Sequence, residues 1–133
     1  MRIVVDTNIL SSGIFFGGKP RELLQHCFSG NLQIVCDEEI FIEYIETIER
    51  LSTKSGKEEI DEIKTLLIEN IEFIENKYDD RYCRDPHDDK FINCARSGEI
   101  THIVSGDKDL LILKEVSGVK VSGVADFLEN IKE

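Results

Sequence analysis

The chain has 133 residues and a formal net charge of −11, with 27 acidic and 16 basic side chains. This length predicts one domain, residues 1–133, that is large enough for a hydrophobic core. The acidic balance argues against loose, charge-driven binding of nucleic acid. It fits a domain that concentrates carboxylates for metal ions or one with a basic partner, although solubility alone explains most of it.

The sequence contains no apolar stretch near the ~20 residues that a membrane helix needs. Its N-terminus leads directly into a strand-like segment, so we expect no signal peptide and a cytoplasmic location. The cysteines are far apart, without the short spacing of a zinc site: Cys27, Cys36, Cys83 and Cys94. We therefore expect reduced thiols, buried or half-buried, rather than a disulfide or a structural zinc site.

The apolar pattern alternates between strands and helices, which is typical of a parallel α/β sheet. In chain order it predicts a strand at 2–5, a loop or short turn with three glycines at 11–18, a helix at 20–28 and a strand at 32–35. Asp37 is the expected N-cap of the next helix. The apolar stripe of that helix is Phe41, Tyr44, Ile45, Ile48 and Leu51.

After a break at 52–57, the pattern predicts a helix at 57–70 whose inward residues are Ile60, Ile63, Leu66 and Leu67. A strand at 71–74 and a polar loop at 76–84 follow. Asp85 is the expected cap of another helix, which Gly98 ends. The remaining elements are a strand at 102–104, a short helix after Asp107, a strand at 119–121 and a helix at 124–131.

Asp6 is the most informative residue, because it directly follows the apolar run at 3–5. The carboxyl end of a buried parallel strand is where open α/β sheets build their sites. Asp107 follows another strand, and Glu43 and the acids of 85–89 lie at or in helices. Carboxylate oxygens are the natural ligands of Mg²⁺ and Mn²⁺, and two such ions can activate water and stabilise the leaving oxygen of a phosphodiester.

Four segments occur in an order and spacing that resemble the PIN-domain family of metal-dependent nucleases: VVDTNILSSG (4–13), EEIFIEYIETIERL (38–51), RDPHDDKFINCA (84–95) and VSGDKDLL (104–111). Within the family, the chain is similar to VapC-type ribonucleases, the toxins of toxin–antitoxin pairs. The resemblance covers nearly the whole chain. It implies a PIN-like three-layer α/β sandwich, with a central parallel sheet of about five strands flanked by helices.

The resemblance also implies an Mg²⁺- or Mn²⁺-dependent endoribonuclease that leaves a 5′-phosphate and a 3′-hydroxyl. The catalytic acids and metal ligands that it implies are Asp6, Glu43, Asp89 and Asp107. The positions that it assigns to support of the site are Asn8 and Ser105. Candidates for phosphate contact are Arg84, Lys90 and Lys108. The implied partners are an RNA substrate, a small antitoxin protein and a second copy in a homodimer.

Each acid also has a structural explanation. Asp6 and Asp107 are suitable helix caps, and Glu43 lies off the apolar stripe of its helix. Asp85 is explained as a cap and Asp88 by the helix dipole, so both stay open as further contributors to the site. Hard-cation sites favour oxygen, so none of the histidines is expected to be essential, although His87 is placed to touch substrate.

Other classes of protein fit less well. A haloacid-dehalogenase-like phosphatase would have a second Asp at the position of Asn8, and a receiver domain would have an Asp at the end of the strand at 71–74. A catalytically silent PIN-like module that sequesters a protein or RNA partner stays open. A metal titration separates it from an enzyme, because only the enzyme should bind the ion through these acids and cleave RNA.

Overall fold

A computed structural model describes residues 1–52 and 57–132. The elements in chain order are β1 (Arg2–Val5), α1 (Thr7–Phe15), α2 (Gly18–Phe28), β2 (Gln33–Cys36), α3 (Glu38–Leu51), α4 (Lys57–Asn70), β3 (Ile71–Phe73), a 3₁₀ turn (Pro86–Asp88), α5 (Asp89–Ser97), β4 (His102–Val104), α6 (Lys108–Leu111), β5 (Glu115–Val116), β6 (Val119–Ser122) and α7 (Val124–Ile131). The predicted break at 52–57 falls largely on residues 53–56, outside the described residues.

The strands form one sheet in the order β3-β2-β1-β4-β6-β5. All neighbours pair in parallel except β5, which is antiparallel to β6. The α/β fold with about five parallel strands flanked by helices is therefore confirmed. The short β5 was not predicted. It arises from a two-residue hairpin loop in which Ser117 and Gly118 have φ of 50° and 80°, the conformation that such tight turns require.

The core lies on the sheet, whose central strand β1 has three fully buried residues, Ile3, Val4 and Val5. Burial on both faces explains why this strand reads as a continuous apolar run. The four cysteines are free thiols, buried except for the half-buried Cys83, as predicted. Within the described part of the chain, no helix has the length and apolar character to cross a membrane.

Helix α1 corrects the prediction of a loop or short turn at 11–18. The helix begins after Asp6, whose side chain accepts a hydrogen bond from the Ile9 N–H. Gly13 lies inside it because the neighbouring helix α2 is close: a Cβ there would be 2.6 Å from Leu24 Cδ1 and 2.8 Å from the Pro20 carbonyl oxygen. This glycine serves close packing rather than a turn, so its presence was a misleading loop signal.

Helix α3 buries a face that is rotated from the predicted stripe. Its buried residues include Ile40 and Thr47, which were not in that stripe, whereas Leu51, predicted to be inward, is exposed. Tyr44 and Ile48 are buried as predicted, and the Tyr44 hydroxyl donates a hydrogen bond to the Val5 carbonyl at the end of β1. Leu66 on α4 was also predicted to be inward and is exposed.

Candidate metal-binding site

The candidate site lies at the carboxyl edge of the sheet, where the strand order reverses. β2 and β3 lie on one side of β1, whereas β4 and β6 lie on the other. Val5 of β1 is in register with Val104 of β4. The next residues, Asp6 and Ser105, therefore leave the sheet side by side, at the kind of crevice where open α/β sheets bind ligands.

Asp6 is held rigidly in this crevice and is 3% exposed. One carboxylate oxygen caps α1 by accepting the Ile9 N–H at 2.9 Å, and the other accepts hydrogen bonds from the Ser105 hydroxyl and the Gly106 N–H. Burial raises the pKa of Asp6 in spite of these hydrogen bonds, and the negative charge of Asp107 adds to the rise. Asp6 is thus both the helix cap and a carboxylate at the site.

Three further carboxylates meet beside Asp6. Asp88, Asp107 and Asp109, hereafter the acid cluster, each offer an oxygen within 4.8 Å of the others. Asp107 caps α6 by accepting the Asp109 N–H at 2.8 Å, and its own N–H donates to Ser105 Oγ at 3.0 Å. The hydroxyl of Ser105 therefore links Asp6 to the acid cluster.

Asp88 is the buried member of the acid cluster, with 8% of its surface exposed. Its Oδ2 is enclosed and has no hydrogen-bond partner among residues 1–52 and 57–132. Burial, followed by the charges of Asp107 and Asp85, raises the pKa of Asp88 to about 6. Burying an anionic oxygen without a partner is costly, so this donor set fits a hard divalent cation such as Mg²⁺ or Mn²⁺.

Glu43 lies outside the acid cluster and is already paired. Its Oε2 accepts a hydrogen bond from Thr7 Oγ1 at 2.5 Å, and its Oε1 is 2.8 Å from His87 Nε2 and 3.3 Å from Lys90 Nζ. Burial raises the pKa of Glu43, but the contacts with Thr7, His87 and Lys90 outweigh it, so the pKa lies below its ordinary value. Glu43 is therefore an ionised carboxylate with a cation in contact.

Asp89, which the motif selected, anchors a loop. It is 2% exposed, and its Oδ1 accepts the backbone N–H groups of Tyr82 at 2.9 Å and Cys83 at 2.7 Å. These bonds hold residues 76–84 against the start of α5. Of the four predicted acids, only Asp107 belongs to the acid cluster. Its other members are Asp88, which the sequence left open, and Asp109, whose position two residues after Asp107 was the available signal.

The comparison with protein-family models gives a match to the PIN domain over residues 2–109. The chain belongs to the PIN-domain family. Its fold is similar to VapBC2 from Rickettsia felis bound to a DNA fragment from their promoter, with a TM-score of 0.61 and 14% identity over 92% of this chain and 98% of that chain. It is also similar to PAE2754 from Pyrobaculum aerophilum, with a TM-score of 0.59 and 12% identity over 99% of this chain and 90% of that chain. The comparison with curated proteins gave no match.

The remaining predicted residues of this PIN domain have different surroundings. Ser105 bonds to the site as described, whereas Asn8 is exposed. Lys108 is exposed, and the Arg84 side chain is 86% exposed while it forms an ion pair with Asp109 at 3.2 Å. Lys90, the third candidate for phosphate contact, is buried against Glu43. This burial depends on Glu43, which lies on the distant helix α3, so the sequence around Lys90 does not predict it.

Proposed function

We propose that this PIN domain is an Mg²⁺- or Mn²⁺-dependent endoribonuclease that hydrolyses RNA phosphodiester bonds. Membership of the PIN family supports the class of reaction. The observation that carries the proposal is the acid cluster at the strand-order reversal, together with the burial of its member Asp88, whose Oδ2 has no partner among the described residues. Oxygen-only donors of this kind suit hard cations and not the softer metals that thiolates bind.

We propose that the carboxylates of the acid cluster bind the ion, and that Asp6 supports the cluster through Ser105. A bound ion of this type supplies an activated water and neutralises the charge that develops on the phosphate. Ser105 orients Asp6 through its hydroxyl and Asp107 through the backbone N–H. Arg84 and Lys108, both exposed near the acid cluster, are proposed to attract the RNA backbone.

The assignment of the other two acids stays a prediction. The geometry supports Asp89 least, because it lies outside the acid cluster and its Oδ1 already accepts two hydrogen bonds from the loop. It keeps Glu43 next to the exposed His87, but the buried Lys90 ammonium 3.3 Å from its Oε1 argues against Glu43 as a ligand of the ion. The geometry adds two candidate metal ligands that the motif did not select, Asp88 and Asp109.

The toxin role and its partners belong to the proposal as well. The Rickettsia felis neighbour is VapBC2 on a DNA fragment from their promoter, and the similarity in fold supports a VapC-like toxin with a small antitoxin partner. The net charge of −11 fits a partner with a basic surface. We further propose that residues 1–133 are a single domain, that it is cytoplasmic, and that two copies pair.

The test is cleavage of a labelled single-stranded RNA by protein that has been stripped of metal. We expect no cleavage in EDTA, cleavage after addition of Mn²⁺ or Mg²⁺, and products that end in a 5′-phosphate and a 3′-hydroxyl. D79N is the matched control and should cleave like the parent, because the Asp79 side chain is 92% exposed. Cleavage that persists in EDTA would contradict the metal requirement. Absence of both metal binding and cleavage would favour the silent binding module.

A further inference from the structure

Lys90 is a buried cation with three possible acceptor atoms around its ammonium group. It lies in the first turn of α5 and is 6% exposed. Its Nζ donates to the His87 carbonyl at 2.9 Å, and it lies 3.0 Å from His87 Nε2 and 3.3 Å from Glu43 Oε1. An ammonium has three N–H groups and no acceptor. Three acceptors therefore surround it, and one of them carries the opposite charge that a buried ammonium needs.

His87 connects the two charges through one ring nitrogen. Nε2 is 2.8 Å from Glu43 Oε1 and 3.0 Å from Lys90 Nζ. A protonated Nε2 donates to the carboxylate, whereas an unprotonated Nε2 accepts from the ammonium, so one of the two contacts forms at a time. In either state Glu43 Oε2 accepts a hydrogen bond from the Thr7 hydroxyl, and the Lys90 ammonium lies beside Glu43 Oε1.

The two halves of the site have opposite electrostatics. The acid cluster brings three carboxylates together, and the cation that contacts it is Arg84, which is almost fully exposed and so contributes little. The Glu43 carboxylate is instead matched by a buried ammonium. A divalent ion placed on Glu43 would meet this ammonium at short range, and because the Lys90 side chain is only 5% exposed, solvent screens the repulsion less than it does at the surface.

We infer that Lys90 occupies the position of a second cation at Glu43, so that the chain binds one divalent ion at the acid cluster and not two. This inference rests on the proposed function and names the charge arrangement within that site. Lys90 is a positioning residue, because it is buried and acts through Glu43 and His87. The exposed His87 is the member of this group that can reach a substrate.

The test is calorimetric titration with Mn²⁺, which counts bound ions without relying on activity. The parent should bind one ion per chain. E43Q should also bind one, with an affinity within about twofold of the parent, the spread expected for sites that do not share a ligand. K90M should bind two, because the freed carboxylate of Glu43 becomes a ligand. K64M is the matched control, because it removes a lysine that forms an ion pair elsewhere. Lys64 on α4 lies 2.6 Å from Glu49 on α3, so K64M should bind one ion.

Two further variants keep the test decisive. K90R retains a cation and should bind one ion. The double variant K90M/E43Q removes both charges together, which avoids leaving a buried charge unpaired, and should also bind one. If K90M does not fold, K90Q, which removes the charge and keeps hydrogen-bond donors, replaces it and should bind two ions.

Two ions in the parent, loss of binding in E43Q, or one ion in folded K90M would overturn the inference. Two ions in a parent that cleaves RNA would leave the proposed function standing. No ion in the parent would overturn the proposed metal site and this inference together.

Discussion

Replacing Asp88 with Asn removes one negative charge from the acid cluster with almost no change in shape. Burial, Asp107 and Asp85 raise the pKa of Asp88 from 3.8 to about 6. A rise of about two units corresponds to about 3 kcal/mol if it is fully expressed. Solvent at this partly open edge screens the repulsion, so we expect D88N to be more stable than the metal-free parent by about 1 kcal/mol at pH 7. That gain corresponds to about 4 °C in Tm.

The pH dependence of this gain has a definite sign. A carboxylate whose pKa is raised on folding destabilises the folded state when it ionises. The penalty is absent near pH 4, grows between pH 4 and pH 6, and stays constant above pH 6, because these limits are the ordinary and the raised pKa. Thermal unfolding of D88N and the parent should therefore coincide near pH 4 and separate by pH 7. Mn²⁺ should raise the Tm of the parent and not that of D88N.

The neighbouring variant D89N is the internal comparison and should shift stability in the opposite direction. Its Oδ1 would still accept from Tyr82 and Cys83, but without the charge that strengthens those bonds. We expect a loss of about 1–3 kcal/mol. The reasoning is refuted if D88N is less stable than the parent at pH 7, or if folded D89N loses its response to Mn²⁺ while D88N keeps it.

Two further predictions concern the packing that builds the site. G13A should lower the free energy of unfolding by about 1–3 kcal/mol in a urea titration, because its Cβ would be 2.6 Å from Leu24 Cδ1 and 2.8 Å from the Pro20 oxygen. Unchanged stability would mean that α1 and α2 separate easily. Y44F should cost about 1–2 kcal/mol, because it leaves the buried Val5 carbonyl without the tyrosine hydroxyl. A stability equal to that of the parent would show that this bond does not hold α3 against β1.

The sequence predicted the features that depend on local chemistry. The strands that precede Asp6 and Asp107, and the caps Asp37 and Asp85, were predictable because burial and capping act over a few residues. The helix at Gly13 was missed, because the reason for that glycine is a contact with Leu24 on another helix.

The choice between Asp88 and Asp89 also depends on distant structure. The motif selected Asp89, whereas the acid cluster contains its neighbour Asp88. Asp89 is engaged because residues 76–84 fold back and place the N–H groups of Tyr82 and Cys83 on it. Asp88 makes no such contact with the described residues of the loop, and its carboxylate lies near that of Asp107 in the acid cluster. This loop has no periodic pattern, so its path was not predictable from the sequence.

The most direct test of a metal ion at the acid cluster is an anomalous diffraction map from a crystal grown with Mn²⁺. The account predicts one strong peak per chain, in contact with carboxylate oxygens of Asp88, Asp107 and Asp109. A peak coordinated by Glu43 and Asp89, or no peak in this crevice at millimolar Mn²⁺, would contradict it.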